Sequence, residues 1–235
     1  MIDLSEESAA LEAALGPSLA TGGGRVIQFV SAQRGEGVST VAREFARHLS
    51  QSARRGVWLV ELDLMRGDQY AALAADPERY GFLGKAARAT PDGSMFFQVA
   101  PALKGVDGRP WTDDSYMAAY PVGGRRWWVT RFRREALKAG QTARILDAPD
   151  YWRALRRHAD WVIVDAPAAE RSRVVLATAP HVDANVLVVA AETGEAERPP
   201  MLRDAIQSVG GHCAGVFLNR TRTEPAPFMR RRNPG

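Results

Sequence analysis

Residues 26–49 read VIQFVSAQRGEGVSTVAREFARHL, and the rest of the chain is organised around this stretch. It opens with a run of apolar side chains that is typical of a buried strand. From Val41 to Leu49 apolar residues recur at helical spacing, with charged residues between them. Residues 31–37 form a Gly-bearing loop that joins the two. Because backbone N–H groups and a helix N-terminus converge on one anion in this layout, the stretch predicts a phosphate-binding loop.

The loop follows only part of the nucleotide-binding pattern G-x-x-x-x-G-K-[ST]. Ser39 stands where the pattern has the Ser or Thr that holds Mg²⁺, and Gly37 is its second Gly. Val38 replaces the Lys, and Ala32 holds the first Gly position. Any doubly wound α/β protein can carry a Gly turn between a strand and a helix. The loop alone therefore leaves a purely structural interpretation open.

Apolar runs and helical patterns alternate along the rest of the chain. Further strands are predicted at 57–63, 127–132, 161–165, 185–190 and 215–219, and another at 95–99. Helices are predicted over 3–16, 69–88 (broken near Asp76 and Pro77), 150–158, 171–178 and 199–209. Strands that are apolar on both faces and alternate with helices predict an α/β fold: a doubly wound, mainly parallel sheet with helices on both faces.

This pattern divides the chain into three parts. We predict an N-terminal helix and Gly-rich joint over 1–23, and a single α/β domain over 24–222. Within the domain, residues 90–126 form a long irregular segment that contains several Pro and Gly residues. A disordered basic tail is predicted over 223–235.

Composition excludes several classes of protein. No apolar run approaches the roughly 20 residues that cross a bilayer. The N-terminal residues are acidic and helix-prone, which is not the pattern of a signal peptide. Cys213 is the single cysteine, so a reducing cytoplasm is expected, and the four His residues show no metal-site spacing. The net charge is +4, and basic clusters at 125–134 and 230–232 could meet an anionic surface or simply be solvated.

Polar residues stand at the ends of four predicted strands. They are the loop 31–37, Glu61 with Asp63, Asp165 and Asn219. Ligands of parallel α/β sheets bind at the carboxyl ends of the strands, so these residues are predicted to share one site.

Four segments resemble one family, the bacterial tyrosine kinases (BY-kinases) of capsule and exopolysaccharide synthesis, which lie within the Min/Par group of P-loop ATPases. SAQRGEGVST (31–40) resembles the family's loop S-x-x-P-G-E-G-K-S-T, and LVELDLMR (59–66) its second acidic motif L-I-D-x-D-L-R. DWVIVDAP (160–167) resembles the Walker B segment D-Y-V-I-I-D-x-P, and GVFLNR (215–220) resembles G-V-V-L-N. The order and spacing agree, and the resemblance covers residues 24 to about 222.

The resemblance implies ATP and Mg²⁺ as ligands and assigns a role to each matching residue. Asp63 and Asp165 would be catalytic if the site is active, and Ser39, Asp63 and Asp165 would hold the metal. Nucleotide binding would fall to Arg34, Gly35, Glu36, Gly37, Val38, Ser39, Thr40, Asn219 and Arg220, with Asn219 on the adenine.

The chain departs from the family at three points. Val38 removes the cation that bridges the β- and γ-phosphates, so ATP binding is expected to be weak or absent. No Tyr follows Tyr151, whereas the kinases end in a Tyr-rich tail. The family's E-x-x-R-x-x-R helix before the first strand has no counterpart, because residues 6–15 contain no Arg.

These departures favour a catalytically impaired accessory protein of exopolysaccharide synthesis and export. As the resemblance implies, it would dock on the cytoplasmic end of a membrane-anchored polysaccharide co-polymerase and lie peripheral to the inner membrane through that partner. A homodimer, a higher oligomer and contact with an anionic membrane surface stay open, and nucleic acid is not expected. One alternative is an active ATPase or kinase in which Arg34 or Arg66 replaces the Lys. The other is a Min/Par-type partitioning ATPase, against which Gln33 counts because it holds the position of that group's signature Lys.

Overall fold

The computed structural model describes residues 3–16, 23–104, 111–192 and 195–220. The predicted tail over 223–235 and part of the Gly-rich joint lie outside these ranges. The helices are α1 Ser5–Leu15, α2 Val38–Leu49, α3 Gln69–Ala75, α4 Pro77–Tyr80, α5 Pro149–His158, α6 Val174–Thr178 and α7 Arg198–Ser208. The strands are β1 Arg25–Val30, β2 Val57–Glu61, β3 Ala87–Arg88, β4 Phe97–Ala100, β5 Met117–Pro121, β6 Trp127–Phe132, β7 Thr142–Ile145, β8 Trp161–Asp165, β9 Ala184–Ala190 and β10 Cys213–Asn219.

Eight strands form one sheet in the order β10-β9-β1-β8-β2-β6-β5-β3. The strands from β10 to β6 run parallel, and β5 and β3 add an antiparallel edge. In the centre of the sheet, Ile27 of β1 lies level with Ile163 of β8 and with Ala184 of β9. The predicted doubly wound α/β fold is therefore confirmed.

Each face of the sheet carries its own apolar core, because side chains alternate along a strand. Val26 and Val30 face the core that α5, α6 and α7 cover, whereas Ile27 and Phe29 face α1, α2 and α3. The ring of Phe45 in α2 lies 5.5 Å from that of Phe29. This packing fixes α2, and hence the loop before it, against the carboxyl end of β1.

The sequence prediction fails in two places around the antiparallel edge. The helical pattern predicted to reach residue 88 ends at Tyr80, because Gly81 adopts a φ of +83° and packs against the backbone of Gly123. The chain then extends and pairs as β3 with β5. The second failure is β5, which lies in the segment 90–126 and was not predicted. The strand predicted at 95–99 in the same segment is confirmed as β4, which pairs with β7 in a separate two-stranded sheet. None of the described helices is long and apolar enough to cross a membrane.

Candidate nucleotide site at the carboxyl edge of the sheet

The loop between β1 and α2 has the backbone of an anion-binding loop. Gly35 and Gly37 have φ values of +81° and +93°, in the left-handed region that favours glycine. A Cβ atom on Gly37 would stand 2.1 Å from Nδ2 of Asn219. The Asn219 amide lies there because it donates a hydrogen bond of 2.8 Å to the carbonyl of Glu36. Only glycine at position 37 allows this close approach between the loop and the end of β10.

Side chains hold the first half of the loop. The carboxylate of Glu36, which is buried, accepts the N–H of Gln33 at 2.9 Å. Glu170 accepts the N–H of Arg34 at 2.8 Å, and the Ser31 hydroxyl donates to the carbonyl of Gln33 at 2.7 Å. The N–H groups in the first turn of α2 have no acceptor within the helix. The loop therefore aims its second half and the helix N-terminus at one point, which suits a phosphate.

A cavity of about 310 Å³ opens in front of the loop. Both predicted catalytic carboxylates, Asp63 and Asp165, line the cavity. So does every predicted nucleotide-binding residue except Asn219, namely Arg34, Gly35, Glu36, Gly37, Val38, Ser39, Thr40 and Arg220. Asn219 lies behind the loop, where its side-chain oxygen accepts a hydrogen bond from the N–H of Arg220 and its side-chain nitrogen donates one to the carbonyl of Glu36. The structure thus gives Asn219 a role in bracing the loop, and its contact with adenine stays a prediction.

Val38 begins α2 at the position of the missing Lys. Its side chain is only 8% exposed and packs in the apolar core that α2 shares with β1. It also borders the cavity. The phosphate site thus has an apolar patch where the motif has a cation.

The two carboxylates predicted to hold Mg²⁺ are already bonded within the chain. Oδ2 of Asp165 accepts a hydrogen bond of 2.7 Å from the Gln69 side-chain amide, which also donates to the carbonyl of Ser39 at 2.8 Å. Asp63 forms an ion pair with Arg171. Carboxylate and hydroxyl oxygens are the ligands that Mg²⁺ prefers, so the residue types fit the ion. A cation would compete with Arg171 for Asp63, whereas Gln69 bonds only Oδ2 of Asp165.

Charge repulsion and burial perturb the acidic pair at the ends of β2 and β8. Burial raises the pKa of Asp165 to about 6, although hydrogen bonds from Gln69 and the Ser39 hydroxyl oppose the rise. Burial, and then the charge of Asp165, raises the pKa of Glu61 to about 8, against hydrogen bonds from the N–H groups of Asp68 and Gln69. Burial and the charge of the neighbouring carboxylate therefore oppose ionisation of both groups at once.

Four arginines line the cavity: Arg34, Arg66, Arg171 and Arg220. Arg34 and Arg66 are the two residues predicted as replacements for the Lys, and the structure brings both to the site. Arg171 and Gln69 were missed. Arg171, in the loop between β8 and α6, contacts Asp63, and Gln69, at the start of α3, contacts Asp165. Neither residue belongs to a sequence motif that would have indicated its role. Among the described residues, no cluster of three or more His, Cys, Asp or Glu side chains is placed to hold a metal.

The chain matches no protein-family model and no curated protein sequence. Solved structures do share its architecture. The chimeric protein CapA2B2 matches with a TM-score of 0.56 and 15% identity, over 86% of this chain and 78% of that one. The fold is that of a P-loop NTPase. The kinase domain of the Escherichia coli tyrosine kinase ETK matches with a TM-score of 0.55 and 14% identity, over 93% and 75% of the two chains. At this identity the likeness establishes the fold alone.

Proposed function

We propose that this P-loop NTPase fold serves as a BY-kinase-like accessory module of exopolysaccharide synthesis and export, with ATP hydrolysis impaired or absent. One observation carries the proposal: the bridging Lys is replaced, and both carboxylates predicted to hold Mg²⁺ already have partners within the chain. Val38 replaces the bridging Lys, Arg171 pairs with Asp63, and Gln69 holds Asp165. Loss of one donor to the transition state typically lowers the rate on the order of 10²–10³-fold.

The anion cradle itself is intact, which supports a binding role rather than catalysis. The left-handed glycines, the N-terminus of α2 and the lining arginines favour a phosphate group. In this proposal a nucleotide acts, if it binds, as a weak structural ligand. The module acts by docking on the cytoplasmic end of a membrane-anchored polysaccharide co-polymerase, and the resemblance of its four motifs to the BY-kinases is what suggests that class of partner.

The second candidate is an active ATPase in which an arginine replaces the Lys. The observation that favours it is the position of Arg34, Arg66 and Arg171 on the cavity wall. Arginine stays charged and can bind phosphate oxygens through two N–H groups at once. In this candidate Arg171 would leave Asp63 when MgATP enters.

Titration of the purified protein with MgATP, paired with a steady-state assay of phosphate release, separates the two candidates. The accessory module predicts weak binding and no turnover above the level of the Ser39→Ala variant. If turnover is observed, Arg34→Gln, Arg66→Gln and Arg171→Gln identify the responsible cation. Arg173→Gln is the matched control, because Arg173 is exposed and does not line the cavity.

Docking has its own measurement. A peptide from the cytoplasmic segment of a polysaccharide co-polymerase of the same organism is titrated into the protein with and without MgATP. The proposal predicts saturable binding that is unchanged by nucleotide and by Ser39→Ala. Absence of binding in both conditions would reject the accessory role.

A further inference from the structure

The amino-terminal edge of the parallel sheet forms a continuous surface that the nucleotide site does not use. Strands β1, β2, β6, β8 and β9 run parallel, so the segments that lead into them meet at one edge. The β1–α2 loop lies at the opposite edge, at the carboxyl end of β1. We call the residues Arg54, Phe82, Lys85, Arg125 and Arg126 the amino-edge surface.

Backbone contacts show that this surface is contiguous. The N–H of Gly123 donates to the carbonyl of Phe82 at 3.0 Å, which joins the turn after α4 to the β5–β6 loop. The N–H of Val57 donates to the carbonyl of Arg126 at 2.8 Å, and the Arg126 guanidinium binds the carbonyl of Arg54. Lys85 extends the same turn, since the N–H of Gly84 donates to the carbonyl of Pro121 at 2.8 Å.

The surface combines cations with one protruding aromatic ring. Phe82 is 80% exposed, and all four basic side chains are exposed. Within the described part of the chain, Lys85 and Arg125 form no ion pair with a carboxylate. The nearby Asp160 is paired with Arg55 and accepts the N–H groups of residues 54 and 55, so it offers the cations little neutralisation.

We propose that the amino-edge surface binds directly to an anionic lipid bilayer. The basic side chains match the negative headgroups, and Phe82 can enter the boundary between headgroups and acyl chains. A double-stranded nucleic acid would also attract the cations, but a phenyl ring would reach its bases only by kinking the duplex. In this orientation the phosphate cavity faces away from the membrane and stays open to ligands. Because this surface lies at the edge of the sheet opposite the nucleotide site, membrane binding does not depend on whether that site is active.

The test is flotation of the full chain with vesicles of phosphatidylcholine alone and of phosphatidylcholine mixed with phosphatidylglycerol. We expect binding to the mixed vesicles only, with loss at high salt. Each basic residue close to an anionic surface contributes about fivefold, so Lys85→Gln with Arg125→Gln should weaken binding roughly 25-fold. The matched control is Lys138→Gln with Arg144→Gln, which removes the same charges from exposed positions elsewhere and should lower binding less.

Phe82→Ser tests the apolar contact separately. Because this side chain is exposed, the variant should keep its thermal unfolding midpoint and still bind the mixed vesicles several-fold more weakly. Three results would overturn the proposal. The first is no binding to the anionic vesicles, and the second is an equal loss of binding in the matched control. The third is vesicle binding that Phe82→Ser does not weaken and that a DNA duplex abolishes by competition. The last result would assign the surface to nucleic acid.

Discussion

Replacing Val38 by Lys restores the missing cation and tests the proposed function most directly. The side chain borders both the apolar core and the cavity, so a lysine stem can lie along the core while its ammonium enters the cavity. A charge-assisted hydrogen bond contributes about 1.5–3 kcal/mol, so MgATP should bind roughly ten- to a hundredfold more tightly. The gain should be smaller for MgADP, because the Lys of this motif reaches the β- and γ-phosphates.

The assay is isothermal titration calorimetry with both nucleotides, on the wild type, Val38→Lys and Val38→Met. Methionine has a similar length without a charge, so a gain shared by both variants would come from shape and not from the cation. Ser39→Ala in the Lys background should remove the part of the affinity that depends on Mg²⁺.

Hydrolysis supplies the second half of the test. Asp63 stays paired with Arg171 and Asp165 with Gln69, so Val38→Lys alone should bind ATP without efficient turnover. Adding Arg171→Gln and Gln69→Ala should raise turnover if those contacts block the metal. The reasoning is refuted if the wild type already binds ATP in the micromolar range and hydrolyses it, since an arginine would then have replaced the Lys.

Three further results are expected. Burial raises the pKa of Glu61 from an ordinary 4.5 to about 8 in the folded protein. Between these two pH values the folded state holds a proton that the unfolded state has lost. The free energy of unfolding should therefore fall as the pH rises through that window. Urea unfolding from pH 5 to 8 should show a smaller fall for Glu61→Gln, and an unchanged slope would contradict the assignment. Gly35→Ala should destabilise the protein by about 1–2 kcal/mol, because alanine is strained in the left-handed region. Gly37→Ala should destabilise it by more, because only at position 37 would the added Cβ also meet Asn219. Adding Asn219→Ala to Gly37→Ala should recover part of the lost stability. Incubation with MgATP followed by mass spectrometry should show no phosphotyrosine, and stoichiometric labelling would instead favour an active kinase; the tyrosines to monitor are Tyr70, Tyr80, Tyr116, Tyr120 and Tyr151.

The parallel core of this protein, and the grouping of the loop with Asp165 at one edge of the sheet, were predictable from the sequence. Local signals sufficed there: apolar runs for the strands, helical spacing for α2, and Gly35 and Gly37 for the loop. Because parallel strands end at one edge of the sheet, the loop and Asp165 could be placed together before any coordinates. Val38 could be recognised as a departure from the motif because the motif is contiguous in the chain.

The surroundings of that edge and the completion of the sheet arise only when the chain folds. The pairing of β3 and β5 joins short segments around glycine turns, where periodicity is too brief to indicate a strand. The contacts of Arg171 with Asp63 and of Gln69 with Asp165 join residues about a hundred positions apart in the chain. No local pattern encodes such contacts, because they exist only once separate elements have packed against the same sheet edge. The burial that raises the pKa of Glu61 arises in the same way.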